Sequence, residues 1–89
     1  MQLTLLTRAY CGLCDVMRDA VAPLATRHGV PLVEFDVDTE PALERAWGDL
    51  VPVLLAGTTA DGRELCHHHF DATRVAGWLD ALARTSKIR

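Results

Sequence analysis

Two cysteines, Cys11 and Cys14, stand where a short apolar run gives way to a helical pattern, and no other stretch constrains this chain as much. Leu3-Thr4-Leu5-Leu6-Thr7 reads as a strand. From Leu13 onward apolar residues recur at steps of three and four, which reads as a helix. Thiols three residues apart at a helix start are neighbours on one turn, so they can close a small disulfide or share a metal. The helix N-terminus supplies unpaired N–H groups and partial positive charge, and both favour thiolate over thiol. Cys11, at or before the first turn, is therefore expected to be the more acidic of the pair. Cys14, one turn in, is expected to be the resolving thiol that attacks a mixed disulfide formed on Cys11. A Cys-x-x-Cys can also be half of a zinc site, or two buried thiols without a role. A strand before it and a helix after it favour redox chemistry.

The 89 residues suffice for one small domain, 1–89, and are too few for two. Hydrophobic residues at 49% and charged residues at 24% fit an ordinary globular chain, and no apolar run approaches a membrane span. A net charge of −3 gives no general attraction to nucleic acid or to an acidic membrane face. Neither is expected as a partner, and a monomer is expected. Arg84, Lys87 and Arg89 form a weak basic cluster that reads as a solvated helix end. Met1 to Leu6 carries no basic leader and no small-residue cleavage pattern, so no signal peptide is expected. The default expectation is the reducing cytoplasm, where a disulfide is more often catalytic or transient than structural.

The first strand has Leu3 and Leu5 on one face and Leu6 on the other, which suits a sheet interior covered on both sides. Arg8 follows it, either as a solvated loop arginine or as a fixed positive charge that lowers the Cys11 pKa. Leu13, Val16, Met17, Ala20, Val21, Leu24 and Ala25 trace the apolar stripe of the first helix. Pro23 should bend that helix and Gly29 should stop it. His28 reads as a helix-end cation rather than a base. Val30 to Val37 reads as a second strand, parallel to the first through a right-handed crossover. Asp38 or Thr39 should cap a second helix with Pro41 in its first turn, Leu43, Ala46 and Trp47 on its apolar edge, and Gly48 at its end. Glu40, Glu44 and Arg45 read as its solvated face.

Val51 to Ala56 reads as a third strand, with Pro52 at its start, where a cis peptide bond could sit. Gly57 and Asp61-Gly62 mark a hairpin turn into a short fourth strand, about Glu64 to His67. Asp71 should cap a last helix that turns Val75, Trp78, Leu79 and Leu82 inward and frays after Arg84.

The order is thus β-α-β-α-β-β-α, with the Cys-x-x-Cys opening the first helix and an X-Pro opening the third strand. That arrangement resembles the thioredoxin fold in its short, glutaredoxin-type form, an α/β fold with a four-stranded mixed sheet flanked by three helices. The resemblance spans nearly the whole chain in element order. It rests on Thr7-Arg8-Ala9-Tyr10-Cys11-Gly12-Leu13-Cys14 and on Leu50-Val51-Pro52-Val53, and it is strongest for compact, bacterial-type glutaredoxin-like proteins. The resemblance implies that Cys11 attacks and Cys14 resolves. It implies a cis Pro52 facing the cysteines, with the Val51 backbone free to pair with an extended thiol substrate. Arg8 takes the place of a basic residue that family members often carry before the motif, and Tyr10 would flank the exposed sulfur. Asp71 matches an acidic residue that grips the glutathione amine.

The chain also departs from that family. Gly12-Leu13 stands where glutaredoxins usually hold proline and tyrosine. His67-His68-His69-Phe70 fills a stretch where they usually carry a Gly-Gly pair that lets the backbone approach glutathione. No bound cofactor is expected. Glutathione is the co-substrate the resemblance implies, and the added Cβ atoms weigh against it.

Cys66 reads as a small apolar core residue, with a second redox thiol or a metal ligand as the sharper alternative. On a strand, alternate side chains face opposite ways, so His67 and His69 are expected to share a face that His68 does not. The run reads as exposed polar residues at a strand end. It could also stabilise the Cys11 thiolate, or bind zinc or copper. The leading expectation is a small thiol–disulfide oxidoreductase acting on a disulfide-bearing protein or small thiol, restored by a thiol reductant or reductase. A metal or iron–sulfur binding module and a redox-silent adaptor of the same fold are the rivals.

Overall fold

A computed structural model describes residues 1–87. Its helices and strands follow the predicted order: β1 (Leu3–Thr7), α1 (Gly12–His28), β2 (Leu32–Asp36), α2 (Pro41–Trp47), β3 (Val53–Ala56), β4 (Arg63–His67) and α3 (Ala72–Lys87). Two short 3-10 turns, Val37–Thr39 and Gly48–Leu50, flank α2. The sheet order is β2-β1-β3-β4. β1 pairs with β2 in parallel and with β3 antiparallel, and β3 pairs antiparallel with β4.

Alternation along the strands divides the apolar residues between two cores. Leu3, Leu5 and Leu54 face one side, where they meet Met17, Val21 and Ala25 of α1 and Val75 and Leu79 of α3. Leu6, Val53 and Leu55 face the other, where they meet Val37 and Leu43 beside α2. All five residues of β1 are buried, as a strand covered on both faces requires. Thr4 is the fully buried polar residue among them, and its hydroxyl donates to the Gly57 carbonyl at 2.6 Å. A bulge sets Cys66 opposite Leu54 but Glu64 opposite Leu55. The extra residue lets Leu65 and Cys66 both enter the first core.

Several local expectations need correction. The buried stripe of α1 is Cys14, Met17, Val21 and Ala25, whereas Leu13 and Val16 are exposed. By contrast, α1 ends where expected, on left-handed Gly29, whose N–H bonds the Ala25 and Thr26 carbonyls, and it runs unbroken to His28 with Pro23 inside it. Neither Asp38 nor Thr39 caps α2. Asp36 caps the preceding 3-10 turn through the Asp38 N–H, and α2 begins after Glu40, which makes no side-chain cap. Ala46 is exposed, leaving Leu43 as the buried residue of α2. Glu44 is part of an ion-pair cluster rather than a solvated face. α3 continues past Arg84 to Lys87, and the Arg89 part of the basic cluster lies outside the described residues. No helix among the described residues is long and apolar enough to cross a membrane.

Candidate redox site

Strand register gathers the site at one end of the sheet. Thr7 closes β1, Leu6 pairs with Val53 at the start of β3, and Val53 pairs with His67 at the end of β4. The loop into α1, the Val51-Pro52 step and the His67–Asp71 turn therefore leave the sheet at the same end. So do the N-termini of α1 and α3.

Cys11 and Cys14 are joined by a disulfide, with Cα atoms 5.2 Å apart. Cys11 is the N-cap of α1, and its sulfur accepts a hydrogen bond from the Cys14 backbone N–H at 3.1 Å. The two sulfurs differ in access: Cys11 is half-buried, whereas Cys14 is 1% exposed in the buried stripe of α1. Tyr10 precedes them in a left-handed conformation (φ 60°) with its side chain fully exposed. Leu13 at 44% and Val16 at 63% exposure extend an apolar surface along the start of α1.

Across the sheet end, the Val51–Pro52 peptide bond is cis, as the resemblance implied. Pro52 is buried, and Val51 is half-buried against the second core.

Arg8 is neither a solvated loop side chain nor an unpaired cation. Its Nε and Nη2 donate to the Asp38 carboxylate at 3.0–3.2 Å, and Nη2 also donates to Glu44 at 3.0 Å. Its Nη1 donates to the Gly48 carbonyl at 3.3 Å. Hydrogen bonds donated to Asp38 and then to Glu44 raise the guanidinium pKa further, so it stays charged. One cation beside two carboxylates makes a locally anionic cluster. A Cβ at Gly48 would meet the Glu44 carboxylate and displace it from its pairing with Arg8.

Asp71 is exposed and caps α3, accepting the Arg74 N–H at 3.0 Å. Cys66 is 6% exposed in the first core, and burial pushes its thiol above the ordinary value despite a hydrogen bond from the Asp71 backbone. The three histidines do not alternate, because β4 ends at His67 and His68 turns left-handed (φ 62°). His67 bonds Glu64 at 2.6 Å, and His68 Nε2 bonds the Asp49 carbonyl at 3.0 Å. Among the described residues, no group of three or more His, Cys, Asp or Glu side chains is arranged to hold a metal ion. The contacts of Arg8 with Asp38 and Glu44, and of His68 with Asp49, escape the sequence reading. Their partners lie 19 to 36 residues away along the chain.

The glutaredoxin-like domain model (DUF836) matches residues 2–80. The chain belongs to this family. An uncharacterized protein of Mycobacterium tuberculosis is 34% identical over 79 residues, which are 83% of this chain and 77% of that protein. A structural-genomics target protein from X. campestris is 43% identical with a TM-score of 0.63, over 89% of this chain and 96% of that one. Oxidized mitochondrial thioredoxin 3 of Saccharomyces cerevisiae is 16% identical with a TM-score of 0.67, over 90% of this chain and 76% of that one. At that identity the likeness shows a shared thioredoxin fold. The family, the fold and the adjacent cysteine pair together give this chain a general thiol–disulfide redox role.

Proposed function

We propose that this protein is a thiol–disulfide oxidoreductase in which Cys11 attacks and Cys14 resolves. The observation that carries the reading is the Cys11–Cys14 disulfide at the start of α1, with one sulfur accessible and the other buried. In the reduced protein, the Cys14 N–H and the free N–H groups of the first turn favour negative charge on the Cys11 sulfur. That thiolate attacks one sulfur of a substrate disulfide. A Cys11–substrate bond forms, the substrate S–S bond breaks, and the departing thiolate takes up a proton. The Cys14 thiol then loses its proton and attacks the Cys11 sulfur, expelling the second substrate thiolate. Two electrons pass to the substrate and the Cys11–Cys14 disulfide is left. An external thiol, glutathione or a disulfide reductase returns the pair to the dithiol, which suits a reducing compartment such as the cytoplasm.

Tyr10 and Leu13 flank Cys11 in the chain and, with Val16 further along α1, expose apolar surface at this end of the helix, which favours a polypeptide disulfide over a small hydrophilic thiol. Val51 and Pro52 form the opposite edge, against which an extended segment would lie. Asp71 spends its carboxylate on the α3 cap, which leaves it less free to grip an amine. Arg8 supports the loop before Pro52 through the Gly48 carbonyl. Trapping tests the assignment. A Cys14→Ser variant should accumulate a mixed disulfide on Cys11 that mass spectrometry locates, and adducts on Cys66 instead would refute it.

A further inference from the structure

We infer that His68 is a positioning residue that holds the Asp49-to-Pro52 loop in place through its ring and its backbone. Two independent contacts reach that loop from the end of β4. The His68 backbone N–H donates to the Pro52 carbonyl at 2.8 Å, and its Nε2 meets the Asp49 carbonyl at 3.0 Å. A carbonyl only accepts, so Nε2 must carry a hydrogen, which both the Nε2–H tautomer and the imidazolium supply. The ring is itself buttressed. His67 packs edge-on against it at a centroid distance of 4.9 Å, and His67 is tied to Glu64 at 2.6 Å.

The conformation makes the residue choice informative. A φ of 62° is ordinary for glycine and unfavourable for a side chain with a Cβ. Histidine tolerates this conformation better than most residues with a Cβ, and here the ring's hydrogen bond goes to the loop before the cis proline. Arg8 holds the preceding carbonyl, that of Gly48, from the end of β1. Consecutive carbonyls of one loop are thus held from two different strands. The consequence for substrate rests on the proposed exchange reaction: a fixed Val51–Pro52 edge lets an extended polypeptide disulfide dock without first ordering that edge.

The test uses the full chain with His68→Gly and His68→Gln. The glycine variant relieves the left-handed backbone and removes the ring, and the glutamine variant restores an N–H donor. Amide exchange at Leu50 and Val51 should quicken roughly 3- to 10-fold in the glycine variant, the span one hydrogen bond supports, while global stability holds. KM for a protein disulfide should rise by a similar factor, with the alkylation rate of Cys11 unchanged. His68→Gln should restore both. Wild-type exchange at Leu50 and Val51 in a folded His68→Gly variant would overturn the inference. A wild-type protein without disulfide exchange would sink the enzymatic reading alone, because amide exchange still decides whether His68 holds the loop.

Discussion

Cys11 and Cys66 are two sulfurs in closely similar local settings with opposite surroundings. Each sits beside a helix start, and each accepts a hydrogen bond from a backbone N–H, of Cys14 in one case and Asp71 in the other. Cys11 lies at the sheet's end, half-buried and beside the exposed side chains of Tyr10 and Leu13. Cys66 lies in the core with Met17, Val21 and Val75, where burial outweighs its hydrogen bond and pushes its thiol up. A helix N-terminus does not by itself make a working thiol. Access to water decides whether the anion can form.

The largest expected effect breaks this contrast most directly. Cys11→Ser should bring reduction of a protein disulfide down to the uncatalysed background, whereas Cys66→Ala should leave the rate within about twofold, since its side chain only packs. Stability should reverse the order. Leu54→Ala, in the core around Cys66, should cost about 2–5 kcal/mol in urea unfolding, and Leu13→Ser, beside Cys11, within about 0.5 kcal/mol. Leu13→Ser should instead raise KM for a polypeptide substrate. Removing the α3 cap with Asp71→Ala should cost about 1 kcal/mol, measured by the same unfolding.

The smallest effect is a pH dependence. The folded-state pKa of Cys66 is raised above the ordinary 9.0. Its contribution to stability is therefore fully present below that value. It is lost as pH rises through the folded value, because the unfolded chain ionises first. Wild type should lose stability above about pH 9 more steeply than Cys66→Ala does. Equal slopes would show that the thiol is not desolvated.

What the sequence made legible was local. The strand before Cys11, the helix after it and the Gly29 stop are each carried by a few neighbouring residues, so spacing reveals them. Cys66 was legible as core because a cysteine flanked by strand residues has little else to do. The apolar stripe of α1 was only half legible. Leu13 and Val16 keep helical spacing, but they lie one position before the row of Cys14 and Met17 that meets the sheet. Arg8 was legible as a cation near the motif and illegible as an ion pair, because Asp38 and Glu44 reach it only through the fold. His68 was hidden for a different reason. Strand alternation would set His67 and His69 on one face, whereas the left-handed His68 ends the alternation.

The charge state of the accessible sulfur decides whether Cys11 can be the attacking group. In reduced Cys14→Ser protein, the rate of Cys11 alkylation by iodoacetamide should be followed from pH 4 to pH 10. A half-point below about 7 is the predicted result, since the start of α1 favours the thiolate. A half-point near ~8.5, the value of a free thiol, would contradict it.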